Sequence, residues 1–322
     1  MNIAILSAAS ILSAIVAYLL TRYLSVRMRS LGMTGVDIHK PDAPERAEMG
    51  GLAVVVAGFV GSAVLVMGGL GIGLAILGPL LTLGLVGCVG VIDDVLGIRQ
   101  RTKPALLVVA SIPLAYSLLG RSAIVLPLMG TVPLGLLYPL VVVPLAVTSS
   151  SNFTNMLAGF NGLEAGIGTI GIATVSGLAW LNGSPEIAAL GFVMSAAFVG
   201  FLALNWFPAR IFPGDTGTLF SGAALATVGL VGGVEPASVI LSIPAAMDFT
   251  LKMLSKNPFQ GRQRFGNTSV DSGGVLSPPA YPALAHAFMR VGRLSERRLV
   301  VSILAMEAVY AIVAIYVQTV VI

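Results

Sequence analysis

Ten apolar runs divide the chain, near 3–21, 50–70, 73–92, 104–120, 132–151, 163–182, 186–205, 216–233, 236–254 and 299–321. Each holds about 18–22 residues, enough for an α-helix rising 1.5 Å per residue to cross roughly 30 Å of hydrocarbon. Apolar and polar positions do not alternate within them, which argues against barrel strands. The glycines from Gly68 to Gly73 form a soft break, so the 50–92 stretch has more than one division. The pattern predicts an all-α polytopic membrane protein of about ten transmembrane helices. It forms one domain, 1–322, with no internal repeat and no linker. A long loop at about 255–297, rich in Gly, Pro, Ser and Arg, carries a short amphipathic helix at 281–293.

Charge gives the chain a direction. Ten crossings place Arg22, Arg27, Arg29, Lys40, Arg46, Arg99, Arg101, Lys103, Arg210, Lys252, Lys256, Arg262, Arg264, Arg290, Arg293, Arg297 and Arg298 in one set of loops, and Arg121 alone in the other. By the positive-inside rule the first set is cytoplasmic and both termini are extracytoplasmic. Deleting one span would scramble this asymmetry. The first run is read as a span rather than a signal peptide, because no basic segment precedes it and Arg22 follows it.

Composition agrees with the pattern and narrows the chemistry. The chain of 322 residues is 56% hydrophobic and 10% charged, against about 25% charged in a soluble domain. One cysteine, Cys88, excludes a disulfide framework and a cysteine-based zinc site, and two histidines, His39 and His286, are too few for a histidine-rich metal site. The net charge of +4 follows membrane topology, so nucleic acid is not an expected partner.

The polar residues that remain gather at the cytoplasmic ends of the runs. Asp93-Asp94 closes one run, and Lys103 opens the next after Arg99 and Arg101. Adjacent carboxylates at a span end serve either as a solvated helix end or as a metal and phosphate site beside a basic loop. The stretch from Asn152 through Asn155 and Asn161 to Glu164 holds more amides than a helix cap needs, and amide oxygens suit Mg²⁺ or a nucleobase edge. Gly214-Asp215-Thr216 opens a span; Asp215 reads either as an N-cap or as a carboxylate that bridges a metal to phosphates. Arg262-Gln263-Arg264 is a weak signal alone and a candidate pyrophosphate clamp beside the others. Carboxylates, amides, Arg and Lys without a Ser–His pair suit phosphoryl-type transfer.

At these residues the chain resembles the polyprenyl-phosphate N-acetylhexosamine-1-phosphate transferase family, over nearly its whole length from Lys40-Pro41 and Gly50-Gly51 to Arg264. That family includes the bacterial phospho-MurNAc-pentapeptide translocase and the enzymes that begin N-glycan assembly on dolichyl phosphate. The segments Asp93 to Lys103 and Asn152 to Gly166 look like the dolichol branch, and the chain size points to an archaeal member. The resemblance implies Mg²⁺ on Asn155 and Asp215, with Mn²⁺ able to replace it. It implies Asn161 for the uridine, Lys103 for the lipid phosphate, and Arg262 and Arg264 for the sugar phosphate and pyrophosphate. Asn152 and Glu164 join the substrate-binding set. Asp93, Asp94 and Lys103 form the catalytic set, in which one aspartate of the pair has a structural or electrostatic role. Gln263 departs from the histidine that the dolichol branch commonly has between its two arginines, and the histidine-rich motif of the bacterial branch is absent before His286.

The expected reaction is transfer of N-acetylglucosamine-1-phosphate from UDP-GlcNAc to a polyprenyl (dolichyl) phosphate in the plasma membrane. Another UDP-N-acetylhexosamine, or a phospho-MurNAc-pentapeptide-like donor, is the alternative. A homodimer is compatible with this reading. A transporter is the rival from another class, disfavoured because the polar groups lie at one face and not at the midplane.

Overall fold

The computed structural model describes residues 2–127, 129–157, 159–254 and 268–322. Among them the chain forms twelve α-helices and three two-stranded hairpins. Helix α1 spans Ile3–Ser30, and strands β1 (Thr34–Val36) and β2 (Glu45–Ala47) pair antiparallel after it. Helices α2 (Gly51–Met67), α3 (Leu74–Leu96), α4 (Lys103–Ala110) and α5 (Ile112–Ser117) follow. Strands β3 (Ala123–Leu126) and β4 (Gly130–Pro133) lead through a π-helical turn, Tyr138–Val142, into α6 (Val143–Leu157). Then come α7 (Leu163–Leu181), α8 (Pro185–Asn205), α9 (Gly214–Gly232) and α10 (Glu235–Met253). A small hairpin, β5 (Ser269–Val270) and β6 (Leu276–Ser277), precedes α11 (Leu284–Val291) and α12 (Glu296–Tyr316).

The chain is a mostly helical, multi-pass membrane protein. Six helical segments are long and apolar enough to cross a membrane by length and composition: Ile3–Ser30, Leu74–Leu96, Tyr138–Leu157, Leu163–Leu181, Pro185–Asn205 and Glu296–Val321. The other apolar runs also contain helix; Gly51–Met67 and Lys103–Ser117 are shorter, and α9 and α10 fail that measure for physical reasons. Helix α9 is buried from Thr216 to Gly232, and the small residues that let neighbours close on it lower its hydropathy. Helix α10 carries Glu235, Asp248 and Lys252.

Three expectations need correction. The run at 104–120 is not one helix: Pro113 has no N–H to continue the ladder, and the chain restarts there as α5, with the Leu114 N–H donating to Thr82 Oγ1 at 3.0 Å. The run at 132–151 begins its helix at Tyr138 because Gly130–Pro133 pairs with Ala123–Leu126. The all-α reading misses the three hairpins, which are built from two to four residues per strand and leave no alternating pattern to read. The amphipathic helix expected at 281–293 is α11.

Helix α9 is the centre of the bundle, packing on α2, α3, α6, α7, α8 and α10. Backbones meet there because glycines face it. A Cβ on Gly51 would lie 2.0 Å from the Gly217 nitrogen, and one on Gly90 would lie 2.4 Å from the Thr216 Cα. Both contacts border Asp215, so the small residues that close the bundle also fix where its first turn sits. The loop before α9 is tied to β2 and the turn after it. Phe212 N–H donates to Ala47 O, and Gly50 N–H donates to Phe212 O, both at 2.8 Å.

Candidate active site

The N-terminus of α9 is held by a side chain from another helix. Asp94, in the last turn of α3, accepts from the Asp215 N–H at 2.6 Å, the Thr216 N–H at 3.1 Å and the Thr216 hydroxyl at 2.6 Å. A helix start leaves its first N–H groups without intrahelical partners, and a carboxylate there also meets the positive end of the helix dipole. Asp94 therefore acts as a cap delivered in trans. Gly214 precedes this turn at φ +65°, and a Cβ there would lie within 3 Å of the Asp94 carboxylate. With the capping role filled by Asp94, Asp215 is left to face its neighbours.

Those neighbours come from two further helices. Asn155, at the end of α6, donates its Nδ2 to Asp215 Oδ1 and to Thr218 Oγ1, the latter at 2.9 Å. Lys103, at the start of α4, forms a buried ion pair with Asp93 and lies 3.4 Å from Asp215 Oδ1. Lys103 and Asp93 are each 1% exposed. Burial makes such a pair costly to break, because either partner alone is a buried charge. Asp93 also accepts from the Ile98 N–H at 2.7 Å, which fixes the turn that carries the chain toward Lys103.

A second group of residues faces this one across a cavity of about 450 Å³. Asp94, Asp215 and Thr218 line one wall; Asp37, His39, Glu164, Asp248, Lys252 and His286 line the rest. Glu164, in the first turn of α7, accepts from the Gly159 N–H at 2.6 Å and shapes the loop before it. Asp248 on α10 pairs with Lys252 one turn on, at 2.6 Å, and accepts from the Leu284 N–H at 2.8 Å, so it caps α11 as Asp94 caps α9. His286 on α11 meets Tyr281 O at 3.1 Å, and burial pushes its pKa down. His39 stacks on Phe160 with ring centroids 4.2 Å apart, and burial lowers its pKa to about 4, so the ring is neutral at pH 7.

Asn161 lies behind this cavity. It is 2% exposed, donates its Nδ2 to Asp37 Oδ2 at 3.0 Å, and donates its backbone N–H to Glu296 Oε1 at 2.8 Å. Lys40 bridges the same two carboxylates and lies 4.5 Å over the Phe207 ring. Asp37, His39 and Glu296 offer ligand atoms all within 4.8 Å of one another. The Lys40 ammonium already sits on two of them and supplies the positive partner of this cluster. The oxygen donors beside Asp215 form a different set. The Asp215 carboxylate, the Thr218 hydroxyl and the amide oxygen that Asn155 presents when its amide turns over are hard ligands of the kind Mg²⁺ takes.

The predicted residues thus divide. Asp93, Asp94, Lys103, Asn155 and Asp215 meet at one point, Glu164 lines the cavity's second side, and Asn161 stands behind that side on Asp37. Asn152 stands apart, its Nδ2 donating to Thr148 O in its own helix at 2.7 Å. Arg262 and Arg264 lie outside the described residues. Asp37, Asp248, Lys252 and Glu296 were not singled out by sequence. The signal for two of them was available: Asp248 and Lys252 are the charged pair inside an otherwise apolar run.

The chain matches the family model described as "Glycosyl transferase family 4" over residues 76–233, which takes in α3 through α9. It is 33% identical over 312 residues to a protein of Saccharolobus solfataricus, covering 96% of this chain and 95% of the relative. The chain belongs to glycosyl transferase family 4. The relative in S. solfataricus is provisionally named a UDP-N-acetylglucosamine–dolichyl-phosphate N-acetylglucosaminephosphotransferase. A Sulfolobus acidocaldarius protein with the same provisional name is 32% identical over 318 residues, covering 96% of this chain and 95% of the relative. A phospho-N-acetylmuramoyl-pentapeptide-transferase of Shouchella clausii is 30% identical over 303 residues, covering 84% and 82%. The family match contains Asp93, Asp94, Lys103, Asn155 and Asp215, whereas Asp37, Asp248, Lys252, His286 and Glu296 lie outside its matched residues.

Proposed function

We propose that this chain transfers N-acetylglucosamine-1-phosphate from UDP-GlcNAc to a polyprenyl or dolichyl phosphate and releases UMP. The observation that carries the reading is the meeting of Asp94, Asp215, Asn155 and Lys103, from four helices, at a cavity of about 450 Å³. The names of the two archaeal relatives agree with it. An oxygen of the lipid phosphate attacks the β-phosphorus of the donor. The bond from that phosphorus to the bridging oxygen breaks, and UMP leaves with both electrons. One pyrophosphate linkage replaces another, so the reaction is close to balanced and reversible.

Asn155 and Asp215, with Thr218 beside them, would hold Mg²⁺ or Mn²⁺. Bound there, the ion would neutralise the donor diphosphate and the departing UMP. Lys103, buried against Asp93 and beside Asp215, sets the positive charge on the side where the lipid phosphate is held and orients Asp215. A phosphate monoester is already largely dianionic at pH 7, its second pKa being about 6, so the acceptor needs little help from a base. Asp94 is engaged by three donors of α9 and has a positioning role. Glu164 shapes the loop that brings Asn161 to the donor, and Arg262 and Arg264 contact its phosphates.

The membrane arrangement we propose has ten crossings, both termini extracytoplasmic and the site at the cytoplasmic face of the plasma membrane. Two observations support it. Each of the ten apolar runs contains helix, and most residues of the site come from helix ends beside loops that hold 17 of the 18 basic residues. The test of the function is release of UMP by purified protein given polyprenyl phosphate and a panel of UDP-sugars, with and without Mg²⁺. UMP and GlcNAc-diphospholipid should form together, only with lipid, and fastest from UDP-GlcNAc. Preference for a phospho-MurNAc-pentapeptide donor would move the chain to the other branch; no transfer from any donor would overturn the reading.

A further inference from the structure

The side-chain amide of Asn161 has its direction set by its neighbours. Asp37 accepts from Asn161 Nδ2 at 3.0 Å, and Lys40 pairs with Asp37 at 3.0 Å. A carboxylate in an ion pair only accepts hydrogen bonds, so the amide must turn its NH₂ group to Asp37 and its carbonyl oxygen away. The backbone of the same residue is pinned by Glu296, which fixes the point from which the side chain extends. Among the described residues Asn161 Oδ1 receives no hydrogen bond, and it is not among the fully buried orphan atoms. Asp37, Ile38, His39, Gly159 and Phe160, the residues around it, line the cavity.

We propose that Asp37 determines nucleobase specificity: it holds the Asn161 amide with its oxygen free and so selects a base that carries a proton on N3. The inference rests on the proposed reading of the cavity as a UDP-sugar site. Uracil carries a proton on N3, which an amide oxygen accepts. Cytosine carries a lone pair on N3, which would face that oxygen as a second acceptor. In a water-poor site two acceptors left facing each other cost far more than a missing contact in water. An asparagine at position 37 would remove the constraint, since it offers both a donor and an acceptor and allows Asn161 to turn either way.

The experiment compares kcat/KM for UDP-GlcNAc with that for CDP-GlcNAc, in parallel with calorimetric binding of UMP and CMP. Asp37→Asn should lower the uridine preference by about 10- to 100-fold, the range for one well-made base contact. The exchanged pair, Asp37→Asn with Asn161→Asp, should restore it. The amide introduced at position 37 then donates to the carboxylate introduced at position 161, whose second oxygen faces the base as an acceptor only. This double variant conserves the charge and the donor–acceptor pairing, so it decides the matter alone if Asp37→Asn folds poorly. An unchanged preference in Asp37→Asn, with both donors slowed equally, would make Asp37 purely structural. Loss of preference in a folded exchanged pair would overturn the inference as well. A wild-type protein that transfers nothing from UDP-GlcNAc would instead sink the proposed function.

Discussion

The two ends of α9 are held by side chains from elsewhere in the chain, and they use them differently. At the far end Arg121 donates to Leu230 O at 2.7 Å and Val231 O at 2.6 Å, and Asn182 donates to Gly232 O at 2.8 Å. Glu235 lies 3.9 Å from Arg121 and accepts from the Tyr138 hydroxyl at 2.5 Å. The charges there satisfy backbone carbonyls and one another. At the near end Asp94 supplies the cap, and beside it stand Asp215, Asn155, Thr218 and Lys103, which capping does not require. A surplus of functional groups over the needs of the helix is what distinguishes a site from a cap. The comparison also accounts for Arg121, the single basic residue outside the larger set of basic loops: its structural task explains its presence.

The largest effect should come from removing part of that surplus. Asp215→Asn should lower turnover by about 10³-fold or more while shifting the melting temperature only slightly, since Asp94 continues to cap α9. Transfer assays and thermal unfolding in detergent check both halves. Retained activity at saturating Mg²⁺ would remove Asp215 from the metal set and erase the distinction between the two ends.

Next in size is Lys103→Ala. It would leave Asp93 buried without its cation, which costs roughly 3–5 kcal/mol. At a temperature where the variant is folded, apparent KM should rise more for the lipid phosphate than for the UDP-sugar. An equal rise for both would contradict a role for Lys103 on the side of the lipid phosphate.

Much of the near end was legible in the sequence, because Asp93-Asp94, Asn155 and Asp215 interrupt apolar runs at matching ends. What was not legible shares a cause. Asp37 and Glu296 lie about 260 positions apart in sequence and acquire meaning only when the β1–β2 loop meets α12 at Lys40. Asp248 and Lys252 sat inside a run read for its length alone, and their pairing one turn apart, with Asp248 capping α11, required the position of α11. The span boundaries failed where Pro113 and the β3–β4 pairing intervene, both local devices that hydropathy does not weigh. Asp94 was read together with Asp93, yet one pairs with Lys103 and the other caps α9; adjacent residues on a helix point about 100° apart, so neighbours in sequence need not share a role.

A smaller effect tests the near cap itself. Asp94→Asn keeps one acceptor and loses the charge, so stability should fall by about 1–2 kcal/mol, the usual range for a helix cap. Turnover should fall by about tenfold, because Asp215 is one of the residues whose N–H the cap holds. A loss as deep as that of Asp215→Asn would make Asp94 a participant in the chemistry rather than a positioning residue.

The smallest effect belongs to the far cap. Arg121→Ala removes two hydrogen bonds to carbonyls and a loose ion pair on a side chain that is 38% exposed, so water can replace part of what is lost. Stability should fall by about 1 kcal/mol, and turnover per folded molecule should not change. The helix between the caps is 19 residues, about 28 Å at its regular rise, so the two ends share no side-chain partner. Stability losses from Asp94→Asn and Arg121→Ala should therefore add to within about 0.5 kcal/mol in the double variant. Turnover gives the sharper test, since a packed helix can transmit a shift along its axis even where energies add. If Arg121→Ala deepens the turnover loss of Asp94→Asn, α9 slides as a unit and its far cap sets the height of Asp215. If it does not, the packing of Gly51 and Gly90 against the first turn of α9 holds Asp215 without help from the other end.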